Sequence, residues 1–273
     1  MQIGSVTALY FSGTGTTRAT VTALAEALAK ELNVPLQEVP FTRPFERDKE
    51  IHFTGTDLVI VGCPTYAGRL PNKIAPDLRS KLHGKNTIVV PVVMFGNRAY
   101  ENSLAELTAL LTENGFFPVA AAACVAQHAF TDALGYGRPG WSDQFEAKSF
   151  VKSVARKVKT LSEPVDPVRV PGDPDAPYYT PLGEDGAPVN FLKAKPKTKL
   201  SRCNGCGACA RMCPMGAIDK KDFSKVPGTC IKCHTCVRRC TKQAKYFDDP
   251  ALASHIRMLE KTYAEPKENE WFL

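Results

Sequence analysis

The chain has 273 residues and a net charge of +7, enough length for one full-sized domain and a small second one. Its longest apolar runs, 88–95 and 119–126, fall well short of the ~20 residues of a membrane span, and no signal-like start precedes the first strand pattern, so a cytoplasmic protein without a span is expected. Eight of the ten cysteines lie within residues 203–240, and because disulfides belong to secreted chains, this density points to metal ligation.

Residues 6–11 form a short apolar strand pattern, a Gly/Thr turn follows, and 17–32 repeats Val21, Leu24, Ala25, Leu28 and Leu32 at helical spacing. Further strands are predicted at 34–39, 57–62, 87–95 and 116–125. Helices are predicted at 102–114, stopped by Gly115, and at 143–161. Strands rich in Val and Ile alternating with helices predict an α/β domain over 1–161, with an open parallel sheet covered on both faces.

From 162 to 196 the chain carries eight prolines and becomes acidic, with one basic residue against six acidic ones in 162–192. Proline at this density blocks helix and interior strand, so this stretch reads as a linker, either lying on the basic segment that follows or serving as an extended spacer. Residues 193–245 carry 14 basic against 2 acidic side chains, and a helix and tail are expected over 249–273.

Cys203, Cys206, Cys209 and Cys213 follow the spacing Cys-x2-Cys-x2-Cys-x3-Cys with Pro214 next, and Cys230, Cys233, Cys236 and Cys240 repeat it. Two quartets of this spacing predict two 4Fe-4S clusters. The fourth cysteine of each run serves the other cluster, so Cys240 joins 203, 206 and 209 while Cys213 joins 230, 233 and 236. A zinc ribbon needs only four ligands and leaves the third and fourth cysteine of each run unexplained. This stretch closely resembles the bacterial two-cluster ferredoxins, which implies a small α+β ferredoxin domain over 197–248. Thr241 stands where that family usually has proline, and His234 reads as an exposed loop residue.

Three loops fall at the carboxyl edge of the predicted sheet, where open α/β folds bind ligands. The first is Ser12, Gly13, Thr14, Gly15, Thr16 and Thr17, which lacks the third glycine of a dinucleotide fingerprint and the lysine of a nucleotide P-loop but offers four hydroxyls at a helix start. The second holds Pro64, Thr65, Tyr66, Ala67 and Gly68, and the third Gly96, Asn97, Arg98 and Tyr100. An ordinary helix-capping turn and packed tyrosines are the bland alternatives.

Together these loops resemble those of flavodoxins, and with the cysteine module the chain resembles the flavodoxin and ferredoxin fusion proteins. The resemblance implies a flavodoxin-like, doubly wound, five-stranded parallel sheet of order 2-1-3-4-5 that binds FMN. Ser12, Thr14, Thr16 and Thr17 would hold its phosphate, Tyr66 and Tyr100 would flank the ring, and Gly96 and Asn97 would line its edge. Ala67 departs from the glycine usual there, and an extra connection over 127–140 with His128 and Arg138 either covers the flavin or docks the ferredoxin module.

The resulting expectation is an iron-sulfur flavoprotein that relays low-potential electrons, with a redox protein as partner (a ferredoxin, a flavodoxin or an oxidoreductase) that is acidic where it docks. The Lys and Arg residues form no recognisable nucleic-acid motif, so no nucleic-acid partner is expected. A reductase of a small substrate and a flavin-free scaffold for the clusters are the alternatives; no acid, base or nucleophile constellation favours an enzyme.

Overall fold

The computed structural model describes residues 2–161 and 166–273. The first half runs β1 (Ser5–Tyr10), α1 (Thr16–Leu32), β2 (Leu36–Pro40), β3 (Ile51–Phe53), β4 (Asp57–Pro64), α2 (Ala75–Lys81), β5 (Leu82–Gly84), β6 (Thr87–Phe95), α3 (Ser103–Glu113), β7 (Phe116–Pro118), β8 (Ala121–Val125) and α4 (Trp141–Thr160). After the proline-rich stretch come β9 (Lys197–Thr198), α5 (Ala208–Arg211), α6 (Thr235–Arg238), β10 (Lys245–Tyr246), α7 (Pro250–Thr262) and β11 (Glu270–Phe272).

The strands β2-β1-β4-β6-β8 lie side by side, all parallel, which is the 2-1-3-4-5 order of the doubly wound flavodoxin-like sheet. Successive side chains of a strand point to opposite faces, so the apolar runs feed two cores at once. Val6, Ala8, Leu58, Ile60 and Val90 pack under α1 and α4, whereas Leu9, Val59, Val61, Val89 and Val93 pack with Leu104, Leu107 and Leu111 of α3 and Leu78 of α2. Every residue of β6 is buried, as expected of a central parallel strand covered twice.

Three features depart from the sequence reading. The predicted fifth strand is interrupted between Pro118 and Ala121, so β7 and β8 each pair separately with β6. The tail is not only helical: β11 adds to the sheet edge antiparallel to β8, with Trp271 opposite Ala122. The proline-rich stretch runs along the first domain before it meets the basic module, donating Val168 N to Pro118 O (2.8 Å), Tyr179 N to Ala67 O (2.9 Å) and Tyr178 Oη to Leu70 O (2.8 Å), and at its end Leu192 O accepts from Lys232 Nζ (2.8 Å). The expectation that falls on residues 162–165 lies outside the described residues.

β11 is held by Trp271, whose ring packs 4.8 Å from Phe150 of α4 and whose Nε1 donates to Glu146 (3.1 Å). Trp271→Ala removes that packing from a half-buried site, so a loss of about 2 kcal/mol in unfolding free energy is expected, below the 3–5 of fully buried aromatics, as measured by chemical denaturation.

Candidate metal centre

Each cysteine of the second run lies 27 residues after its counterpart, 203 with 230 and 213 with 240, and the backbone repeats with the same offset. Left-handed residues occur at Gly205, Gly207 and Gly216 in the first run, with φ of 70°, 69° and 58°. Their counterparts are Lys232, His234 and Gln243, with φ of 52°, 57° and 49°. Glycine adopts this conformation without a Cβ penalty, whereas each non-glycine residue costs roughly 1–2 kcal/mol. These turns aim backbone N–H groups at sulfur: Ala217 N lies 3.3 Å from Cys213 Sγ, Ala244 N 3.2 Å from Cys240 Sγ and Lys232 N 3.4 Å from Cys230 Sγ.

All eight thiols are free of disulfides. Cys213, Cys230, Cys233 and Cys236 line a single cavity, the set that the crossing of fourth ligands requires. Burial pushes the Cys233 thiol up to about 11 and raises Cys236 further, with the neighbouring Cys233 adding to the effect. Thiolates packed this closely away from water need a compensating cation, and a four-thiolate iron-sulfur cluster supplies one, so these residues fit such a group. Cys206 of the first run is exposed whereas Cys233 and Cys236 are buried, so one run faces solvent and the other faces the first domain.

That inner run sits directly on the sheet edge. Thr235 Oγ1 donates to Gly13 O (2.9 Å) and lies 3.1 Å from Cys233 Sγ. A Cβ on Gly13 would stand 3.1 Å from Thr235 Oγ1 and 3.3 Å from Cys233 Cβ, and one on Gly15 would strike the Arg239 guanidinium. Arg238 donates to Ala129 O (2.9 Å) and His128 O (3.0 Å) and pairs with Asp132, so the 127–140 connection is a docking face. Buried Arg47 reaches across to Pro214 O (3.0 Å), and Met215 and Ile231 pack on the core of the first domain. His234, expected as an exposed loop residue, is instead buried between Phe130 and Phe247, each 4.6 Å away. Burial, followed by the Arg238 charge, holds its imidazole down to about 3, so it stays neutral and stacked at neutral pH.

The residues expected around a flavin are brought to this edge, but several are committed elsewhere. Ser12 Oγ accepts from Arg18 N (3.1 Å) and caps α1, and Thr17 is buried in the first turn, which leaves Thr14 Oγ1 and Thr16 Oγ1, 3.5 Å apart, as the free hydroxyls. Thr65 Oγ1 is tied to Ser103 Oγ (2.6 Å), and the turn from Pro64 closes by paired bonds between Tyr66 and Arg69. Ala67 and Gly68 both adopt positive φ, 48° and 76°, and the Ala67 carbonyl is already used by Tyr179. Tyr66 leans on the inner cysteine loop, its hydroxyl 3.5 Å from where a Gly13 Cβ would be.

A Cβ on Gly96 would lie 2.4 Å from the His128 ring. The Asn97 side chain is saturated by the tail: Nδ2 donates to Tyr263 O (2.7 Å) and Glu265 O (3.0 Å), and Oδ1 accepts from Lys267 N (3.0 Å). Arg98 pairs with Glu101 (2.6 Å) and lies 4.0 Å over the Tyr179 ring. Tyr100 does not face Tyr66; it is 7% exposed, packs 5.5 Å from Phe95 and donates to Glu270 (2.7 Å). Of the two tyrosines expected beside a ring, Tyr66 stands next to the Gly13 loop and Tyr100 is engaged by Phe95 and Glu270. Thr235, Arg238, Arg239, Arg47 and Phe130 complete the interface without any motif to announce them; only the position of Thr235 and His234 between two ligands offered a signal.

His234→Gly restores the residue type that its counterpart Gly207 has, which separates backbone strain from contact. The variant is expected to keep the iron content of the unaltered chain, while amide exchange over 12–17 and 128–132 rises as docking loosens. Cys213→Ala should instead lower the iron content.

A family model described as 4Fe-4S binding domain matches residues 196–219. A sequence search of curated proteins found no match. Among solved structures, a flavodoxin from the domain Archaea is 18% identical with a TM-score of 0.36, covering 57% of this chain and 99% of its own. A flavodoxin from Streptococcus pneumonia TIGR4 is 18% identical with a TM-score of 0.38, covering 56% and 99%. Rubredoxin oxygen:oxidoreductase from the anaerobe Desulfovibrio gigas is 20% identical with a TM-score of 0.40, and there the match spans 58% of this chain but 37% of the other. Strand order on one side and the matched cysteine segment on the other make this chain a fusion of a flavodoxin-like domain with a ferredoxin-type iron-sulfur module.

Proposed function

We propose that the protein is an electron carrier with two 4Fe-4S clusters, an outer one on Cys203, Cys206, Cys209 and Cys240 and an inner one on Cys230, Cys233, Cys236 and Cys213. The observation that carries this reading is the shared cavity of Cys213, Cys230, Cys233 and Cys236, shielded by the first domain while Cys206 stays exposed. A cluster of this kind takes up and releases single electrons. The chain's own residues set the environment: N–H groups of 217, 232 and 244 direct positive dipole at three sulfurs, and Ile231, Phe247 and His234 keep water from the inner set.

Partner contact belongs at the outer cluster. Arg202, Arg211, Lys242 and Arg239 are exposed, the first three beside the cysteines of that set, whereas Arg238 is engaged with the first domain. An acidic redox protein is the partner that such a face attracts. Among the described residues, no helix is long and apolar enough to cross a membrane.

A second reading, uptake of FMN, is favoured by the two free hydroxyls of Thr14 and Thr16 at the start of a 17-residue helix. A fluorescence titration of the cluster-loaded chain tests this reading, and absent FMN uptake overturns it. Tight stoichiometric uptake, weakened at least tens-fold by joint Thr14→Val and Thr16→Val, would establish the second reading.

The carrier reading is tested by mixing reduced protein anaerobically with an oxidised acidic ferredoxin. Transfer should be fast at low salt and slow several-fold as screening over about 10 Å sets in near 0.1 M. Charge reversal at Arg202, Arg211 and Lys242 should slow it further with iron content unchanged. Salt-independent turnover of a small acceptor, with protein partners left unreduced, overturns the carrier.

A further inference from the structure

At the opposite end of the sheet, β3 and β5 pair in parallel with His52 directly beside His83. Glu50 precedes β3, and its Oε2 stands 3.4 Å from His52 Nε2 and 3.6 Å from His83 Nε2. Both distances exceed the 2.7–3.2 Å of a hydrogen bond. They match the edge of a tetrahedron of ligands about 2.1 Å from a zinc ion, which is about 3.4 Å. The three ligand atoms all fall within 4.8 Å of one another, so one carboxylate faces two imidazoles at once, as a pair of ion contacts when the rings are protonated and as a ligand set when they are neutral.

A second observation points the same way. His83 Nε2 is shielded from solvent and has no hydrogen-bond partner, although a shielded imidazole nitrogen ordinarily finds one. The backbone beneath is fixed, because Lys85 N donates to Phe53 O (3.0 Å) and Phe53 packs 5.9 Å from Phe116. The side chains of Glu50 and His52 are exposed over 55% and 67% of their surface. The two rings are stacked 4.8 Å apart at 19°, so ligation needs a turn of the exposed His52 ring and no movement of either strand.

We propose that Glu50, His52 and His83 form a binding site for a divalent first-row transition ion of the zinc type, with water in the remaining position. Imidazole donors select this class over magnesium and calcium, which take oxygen ligands. The site is separate from the cysteines: β4 starts just after β3 and its eight residues, at about 3.3 Å each, carry the chain about 26 Å toward the other edge. Its occupant bridges two short strands, β3 and β5, that stand apart from the main sheet.

The test uses the cluster-loaded full chain, stripped of loose metal with a mild chelator, dialysed anaerobically against micromolar zinc and analysed for metals by mass spectrometry. One zinc per chain is expected with iron unchanged. His52→Ala and His83→Ala should each abolish uptake, and Glu50→Gln should weaken it at least ten-fold. The proposal is overturned by no uptake, by uptake that persists in both histidine variants, or by zinc that enters only as iron leaves. Because His52 is largely exposed, its variant keeps the fold, and unchanged iron content in that variant verifies this.

Discussion

A parallel sheet ends all of its strands at one edge, and the loops gathered there carry backbone groups and helix N-termini that something polar or charged must cover. In this protein the cover is the chain's own second cysteine loop, joined by a single hydroxyl-to-carbonyl bond from Thr235 to Gly13 and flanked by two arginines and an aromatic stack. Much of the rest is arranged around that contact. The proline-rich stretch runs along the first domain and delivers the module to the edge, and the tail returns to saturate Asn97 and extend the sheet.

The two halves of the cysteine module have diverged in a way that the docking explains. Where the outer run has glycine at each of three left-handed positions, the inner run has Lys232, His234 and Gln243. Side chains at strained positions persist when their contacts outweigh the strain. His234 stacks between Phe130 and Phe247, and Lys232 Nζ donates to Leu192 O (2.8 Å) and Cys230 O (3.2 Å). In the first run a Cβ at Gly207 would stand 2.9 Å from the Phe223 ring, so glycine both avoids the strain and fits the space there.

Charge follows the same division. The excess of Lys and Arg over 193–245 splits into cations that fasten the module to the first domain and cations that stay exposed around the outer set. Only the second group is available to a partner, so the net charge of the segment overstates its open positive face. The acidic proline-rich stretch leaves that face uncovered: Glu184 pairs with Arg257 of α7, and Tyr178 and Tyr179 engage the first domain.

By itself the sequence determined what is local or periodic. Alternating Val and Ile strands with amphipathic helices specify the parallel sheet, because burial on both faces leaves no other use for such runs. Cysteine spacing specifies ligand loops, because three thiolates at every third position can wrap one small group. The tertiary structure alone decided which surfaces meet. Tyr100 gains a partner that no pattern announced, because β11, a three-residue strand with no periodic signal, puts Glu270 beside its hydroxyl. Arg47 and Pro214 are 167 positions apart, and no pattern along the chain connects them. His234 read as exposed because its neighbours in sequence are polar or cysteine, whereas the rings that bury it come from positions 130 and 247. Contacts between distant segments depend on shape and on free energy summed over a whole interface, and those quantities exist only once the chain has folded.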